Sequence, residues 1–373
     1  ASELDPRALF YQLLNVSRYP GVLTTARDFV DYWLRQAKRI SDDPNTEEDL
    51  RFFPYSEQAF ADRLDLIYND LAENADQSDP GNPDNVVRTR ADAVERIKQL
   101  APFNLLDGAW LRNIGRAGPQ DEVGALLFSV WMDELGAGDA SMHHCNIYRD
   151  LCHSVGYAPP AINSRKFAFD PSLLDSAFQV PAFELAISQF TDEYIPELIG
   201  MTLQLEWCVL ELKPTRDLMK FFGINPHFYI MHIAIDNAVN GHGQRAAEAV
   251  RLYLAQVREA GGTDAAERAW RRIWNGYVAF GSVGTFFEDF KNHLRSRPTL
   301  RDRLIKLISD KAVFGSRNHQ HHMLGPTRID EWFEDPPGFL DALFRHGYLT
   351  PGDWHNSRMR QLIDFQLGPI YRV

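Results

Sequence analysis

Only three cysteines occur in 373 residues. Cys145, Cys152 and Cys208 form no C-x-x-C pair, which removes the usual basis for a disulfide framework, a thiolate zinc site or covalent haem attachment. They read as small buried hydrophobes in a reducing compartment. Positive charge is scarce too: 39 Lys and Arg against 51 Asp and Glu give a net charge of −12. That balance argues against nucleic acid or a membrane surface as a partner. No apolar run approaches the ~20 residues that cross a bilayer. The start, Ala1-Ser2-Glu3-Leu4-Asp5-Pro6, has neither the basic nor the apolar part of a signal peptide, so a cytoplasmic address is expected. Walker A, G-x-S-x-G and H-E-x-x-H patterns are missing, as is an HD pair. Gly136-Ala137-Gly138 and Gly241-His242-Gly243 follow no strand and complete no dinucleotide fingerprint.

What is present is an ordinary globular composition, 45% hydrophobic and 24% charged, enough to bury a core. Residues 73–85 concentrate turn formers and acids and predict a loop. Amphipathic stretches at about 24–40 and 55–73 precede it, and Thr89 can cap a helix running to about Leu100. Trp270, Ile273, Trp274, Tyr277 and Val278 form one helical stripe; Ala246, Ala247, Val250, Tyr253, Leu254 and Val257 form another. Sustained alternation of period two is scarce, and the fold class expected is all-α. After residue 300 short apolar groups are separated by Asp335-Pro336-Pro337-Gly338, Gly347, Pro351-Gly352 and Gly368-Pro369. Three regions follow: 1–100, 101–300 and a C-terminal extension, 301–373, expected to wrap over the helical core.

Acids and histidines recur in apolar helical surroundings, where an unpaired charge is costly. Asp133-Glu134-Leu135-Gly136-Ala137-Gly138, followed by His143-His144, sets an acid and a histidine on either side of a glycine pair. Ten residues of straight helix would hold Glu134 and His144 ~15 Å apart, so the glycines must break the helix if the two act together. In the helix opened by Pro196, Glu197 reads as a dipole-compensating surface acid. Glu206 lies among Leu205, Trp207, Cys208, Val209 and Leu210, and a buried carboxylate there needs a cation or a metal. His232 and Asp236 are four apart, a spacing that on a helix lets them ligate one metal or adjacent metals. Taken singly, each has a structural alternative: a satisfied core histidine for His232, an Arg or Lys partner for Glu134 and Glu206, a turn hydrogen bond for Asp236. His319-Gln320-His321-His322 reads as a solvated helix end or loop. The two E-x-x-H motifs of ferritin-like di-iron bundles are absent; Asp150-Leu151-Cys152-His153 comes nearest.

The Asp133–Gly138 run with His144, the apolar helix carrying Glu206, and His232-x-x-x-Asp236 together resemble the haem-oxygenase-like di-iron oxidases and oxygenases. The resemblance extends from about Leu105 to Ala260, and Asp107-Gly108-Ala109-Trp110-Leu111 and Gly368-Pro369 look like the longer branch of that family. It implies a haem-oxygenase-like helical bundle with added N-terminal helices, in which Glu134, His144, Glu206, His232 and Asp236 bind two Fe(II) ions. Where the family often has a further histidine one turn after the aspartate, this chain has Val239, with His242 three residues on. His242 therefore requires a local bulge or helix end at Gly241. Asp107 is a candidate counterpart of an extra acid found in some members. The implied chemistry is reduction of O2 by two ferrous ions and oxidation of a small molecule: an amine, an amino-acid-derived compound or a fatty-acid-like one. N-oxygenation, desaturation and carbon–carbon cleavage are the family's reactions, often in natural-product biosynthesis. An external electron donor and a homodimer, with residues 1–100 at the contact, complete the expectation. The alternatives are a non-catalytic all-α scaffold or partner-binding protein, and a haem-binding protein of the same fold.

Overall fold

A computed structural model describes residues 5–115, 119–236, 241–298, 300–315, 321–350 and 352–363. Val239, His319, Gln320 and Gly368-Pro369 lie outside the described residues. The chain divides into two compact units, Ala1–Leu294 and Arg295–Val373.

The first unit is helical throughout its described residues: α1 (Pro6–Leu14), α2 (Val22–Asp42), α3 (Glu57–Asp76), α4 (Arg90–Gln99), α5 (Ala101–Asn104), α6 (Glu122–Glu134), α7 (His144–Ser154), α8 (Arg165–Ala168), α9 (Gln179–Ile187), α10 (Ile195–Trp207), α11 (Leu212–Phe221), α12 (His227–Ile235), α13 (His242–Ser282) and α14 (Phe286–Ser296). Start signals in the sequence set several boundaries. Thr89 and Asp92 form a capping box at α4, satisfying backbone donors that the first turn leaves free. Asp5, Ser56 and Asp121 cap α1, α3 and α6 through their side chains. The second unit contains α15 (Leu300–Gly315), α16 (Ile329–Trp332), α17 (Pro336–Arg345) and α18 (Arg358–Ile363), with a two-stranded hairpin pairing Met323 with Arg328 and Leu324 with Thr327. Its own small core gathers Leu324, Phe339, Ala342 and Leu343.

Helices α10 and α13 make the broadest helix contact among the described residues, and glycine permits it. A Cβ at Gly200 would lie 1.8 Å from the Ile273 carbonyl oxygen, and one at Gly276 would lie 2.0 Å from that of Glu197. The two backbones therefore touch directly. Trp270, Ile273, Trp274, Tyr277 and Val278, the stripe visible in the sequence, are all buried along this half of α13. The helix is broken at Gly262 (φ 76°), so its two halves run in different directions. Glu197 differs from expectation. It is buried, and its carboxylate takes two hydrogen bonds from Arg272, from Nε at 2.6 Å and Nη2 at 2.7 Å. The close approach of α10 to α13 puts this first-turn acid inside, where a cation from the facing helix replaces water.

Alanine is the better helix former, so Gly200→Ala would by propensity alone gain about 1 kcal/mol. Overpacking at the crossing reverses the sign: the variant is expected to lose about 2–3 kcal/mol net, read as a lower denaturant midpoint at unchanged slope.

Candidate metal centre

Most of the acids and histidines singled out from the sequence occupy helix ends. Glu134 is the last residue of α6 and His144 the first of α7. Between them Gly136 (φ 70°), Ala137 (φ 48°) and Gly138 (φ 94°) take left-handed conformations, so the chain reverses and does not continue as a helix. A Cβ at Gly136 would meet the backbone nitrogen of His143 at 2.7 Å. The glycine is what lets the turn fold back far enough for His144 Nδ1 to reach 2.6 Å from Glu134 Oε2. The loop after α5 carries Asp107 across the same place. Its next residue, Gly108, has no room for a side chain: a Cβ would stand 2.7 Å from that of Glu134. Trp110 Nε1 donates to Thr202 Oγ1 at 3.1 Å, tying this loop to α10 and so to Glu206.

His232 lies in the last turn of α12, and Asp236 is the first residue beyond it, its N–H donating to the His232 carbonyl at 2.9 Å. The two serve different neighbours. His232 Nε2 is 2.8 Å from Asp107 Oδ2, whereas Asp236 Oδ1 is 2.9 Å from His242 Nδ1. His242 opens α13 after Gly241, so a helix end supplies the change of direction its assignment requires. Its Nδ1 is also 3.3 Å from Glu206 Oε2 and 3.5 Å from Glu134 Oε1.

Two groups of potential metal-binding atoms result: Asp107, Glu134, His144 and His232, and Glu134, Glu206 and His242. Asp236 adjoins the second group, and Glu134 belongs to both. All six residues expected from the sequence are brought together, and Asp107 joins them. Asp150 and His153, the nearest approach to E-x-x-H, are exposed, as are His321 and His322.

The geometry is one that hydrogen bonding alone does not satisfy. The Phe228 carbonyl can only accept, so His232 Nδ1–H donates to it at 2.8 Å, and Nε2 is the ring nitrogen that faces the Asp107 carboxylate. Asp133 Oδ2 lies 3.1 Å from His242 Nε2 and also takes a 2.7 Å bond from Arg245; with Nε2–H donating to it, Nδ1 faces three carboxylates. Glu134 Oε2, His144 Nδ1, Asp236 Oδ1 and His242 Nδ1 are buried, close to one another and without an aligned hydrogen-bond partner. Among the described residues no Arg or Lys pairs with Glu134 or Glu206. Convergent lone pairs on carboxylate oxygens and imidazole nitrogens are the donor set of iron, manganese or zinc. The outward nitrogens of His232 and His242 are held as metal-ligating histidines are held. The residues fit a metal centre.

The electrostatics agree. Burial alone would keep the imidazoles neutral, yet Asp107 and Glu134 outweigh it and push His144 up to about 10. Asp107 likewise pushes His232 to about 9, and Asp236 with Glu206 pushes His242 to about 11. Burial raises Glu134 to about 7, reinforced by the charge of Asp107, and raises Glu206 well above the usual carboxylate range. The cluster thus takes up protons readily, and a cation bound there would compete with them.

Three participants carried little sequence signal. Asp133 adjoins Glu134, so on a regular helix they would point apart, and only the position of His242 makes it an orienting acid. Arg245 is one of many cations. Glu184, on α9, is buried with Oε2 unpartnered and is held in its acid form by burial, with Asp107 and Glu134 adding to the effect.

Residues 94–277 match the family of iron-containing redox enzymes, a stretch that contains every residue of the cluster. The chain belongs to this haem-oxygenase-like family and is an all-α oxidoreductase of the iron-containing class. No curated protein matches the chain. Among the described residues no helix is long and apolar enough to cross a membrane.

Crowding of acids gives a prediction in which the sign depends on metal. In metal-free protein Glu206→Gln removes a buried carboxylate held among others, and is expected to stabilise by about 1–2 kcal/mol. Adding Fe(II) anaerobically should raise the melting temperature of the wild-type protein well above that of the variant. The same order of stability with and without iron would contradict this account.

Proposed function

We propose that the chain is a non-haem di-iron, O2-dependent oxidase or oxygenase acting on a small molecule. The observation that carries the reading is the sharing of Glu134 between the two groups of potential ligands. A carboxylate with one oxygen toward His144 and the other toward His242 would contribute to both groups if each held a cation. Charge balance supports the number: Asp107, Glu134, Glu206 and Asp236 supply four negative charges, which two divalent ions neutralise. Two ferrous ions bound there would supply the electrons for O2 reduction and the oxidising power for the substrate.

The chain's own residues do the rest. Asp133, itself held by Arg245, orients His242, and the Phe228 carbonyl orients His232. A cavity of about 300 Å3 adjoins the centre, walled by Trp110, Leu205, Phe228 and Phe280 and reaching Asp107, Glu134, Glu206, His232 and Asp236. Its apolar walls limit water around the reacting molecule. Convergence on one place also supports an enzyme over a scaffold, in which these acids would pair with Arg or Lys separately. Three buried carboxylates and a half-buried fourth likewise disfavour a haem face.

Anaerobic titration with Fe(II) is expected to saturate near two ions per chain, as in other carboxylate-bridged bundles. Glu134→Ala should hold no more than one ion with unchanged helical circular dichroism. Rapid mixing of the loaded wild-type protein with O2 should give a transient visible absorbance that the variant lacks. Absence of specific uptake and of any O2-dependent transient would sink the reading.

A further inference from the structure

The cavity beside the centre has a larger neighbour. This outer cavity, of about 440 Å3, is bounded by Val180 and Pro181 of α9, Gln204 of α10 and the turn after α13. Asp107, Glu134, Glu206, His232 and Asp236 line the inner cavity, and none of them lines the outer one. Leu100, Phe103 and Phe280 are among the residues that line both. The rings of Phe103, on α5, and Phe280, in the last turn of α13, have centroids 6.3 Å apart and planes inclined at 36°. A hydrocarbon chain passing between two rings needs a carbon contact of about 3.5–4.0 Å on each side, which sets the ring centres about 7–8 Å apart. The pair stands closer than that and leaves no passage between its rings.

We propose that Phe103 and Phe280 set the length of the substrate: the pair is the end wall of the inner cavity, so a molecule that reaches the centre extends no further than these two rings. That the molecule reacts at the centre rests on the di-iron reading above; the end wall does not.

Three observations favour a wall over ordinary core packing. Rings that only fill a core have neighbours on every side, whereas this pair has about 300 Å3 of space on one side and about 440 Å3 on the other. Both rings are half-buried, unlike Trp110 of the inner lining, which is buried and tied to Thr202. The wall is also held firmly. Phe280 follows Gly276 by four residues and so shares its face of α13, and at Gly276 the backbone of α13 lies against that of α10. A molecule in the inner cavity gains affinity with each methylene it buries until it meets the rings. A longer one must turn away from the apolar lining or force the rings apart, and overpacking of that kind is unfavourable. The inner volume alone lies at the small end of ligand pockets. Removing either ring would add the outer cavity to it.

Calorimetric titration of the full metal-free chain with straight-chain primary alcohols, 1-butanol to 1-decanol, tests this with a probe that changes only in length. Wild-type affinity should rise roughly fourfold per methylene and then level off at one chain length. Leu205→Phe, on the inner lining alone, should weaken the whole series and so locate the binding. Phe280→Ala and Phe103→Ala should each carry the rise past the wild-type limit, so that the alcohol two carbons longer binds roughly sixteenfold more tightly than it does to the wild-type chain. Val180→Phe, which refills the outer cavity, should bring the limit of Phe280→Ala back toward the wild-type value; a ring needed only for packing would give no such return. Helical circular dichroism should be retained throughout. If Phe280→Ala fails to fold, Phe280→Leu takes its place and should shift the limit in the same direction by less. The proposal is overturned if no alcohol binds, if wild-type affinity keeps rising through decanol, if Leu205→Phe leaves the series unchanged, if neither phenylalanine substitution moves the limit, or if Val180→Phe does not reverse the move. Failure of iron uptake by the wild-type protein would count against the di-iron reading instead, and the titrations, made without metal, would still decide the wall.

Discussion

The arrangement of the first unit turns on one electrostatic constraint: three buried carboxylates, a half-buried fourth and three buried imidazoles meet with no Arg or Lys paired to them among the described residues. Asp107, Glu134, Glu206 and Asp236 face His144, His232 and His242 at separations of 2.6–3.6 Å. Glu134 Oε2, His144 Nδ1, Asp236 Oδ1 and His242 Nδ1 are buried, and no hydrogen bond satisfies them. A protein tolerates such a concentration only where ligand binding relieves it, since each group alone would cost several kcal/mol. The surrounding structure can be understood as what is needed to hold repelling groups in place.

Regular helices are poor at doing this alone. One straight helix offers a few side chains on one face, spaced by a turn, so convergence from many directions needs several helices or their ends. Glu134, His144 and His242 are terminal helical residues, and Asp236 follows directly after one. Asp107 comes from a loop that can lie against Glu134 only because Gly108 has no side chain. The rigid reference for these ends is the crossing of α10 and α13, where Gly200 and Gly276 let backbone touch backbone. α10 brings Glu206 and the second half of α13 brings the buried tryptophan stripe, so the centre and the densest core share the same helices. Paired outer groups, Asp133 with Arg245 and Glu197 with Arg272, carry charge that is already balanced.

The cavity beside the cluster combines charged and apolar surface. Its wall includes five residues of the cluster as well as Arg96 and Glu211. The cavity and the cluster thus share part of one lining. The fold places α4, which carries Arg96, beside the loop that carries Asp107, with only the short α5 between them in the chain.

Much of this was legible in the sequence, and the part that was not has a common cause. Periodicity revealed the helices, because burial of one face imposes a 3.6-residue rhythm on apolar residues, as at Trp270 to Val278. Cap residues at Thr89 and glycines between Glu134 and His144 marked where helices start and reverse, because those conformations restrict residue type locally. Glu134, His144, Glu206, His232, Asp236 and His242 stood out as ionisable groups in apolar surroundings. Glu197 had the same local signal as a surface acid, and its burial depends on Arg272, 75 residues away. Asp133, Arg245, Glu184, Arg96 and Glu211 were also unmarked, and Asp107 only faintly marked. Their environments are created by contacts between distant segments, which leave no rhythm in the chain. The sequence by itself determined the helical class, a few helix starts such as that after Thr89, and the kinds of atoms available for chemistry, since these follow from short-range sterics and hydrophobic pattern. Only the tertiary structure decided which atoms meet, that Glu134 stands between two groups, and that the cluster faces a cavity also lined by Arg96, because Coulombic and donor–acceptor interactions depend on distance in space.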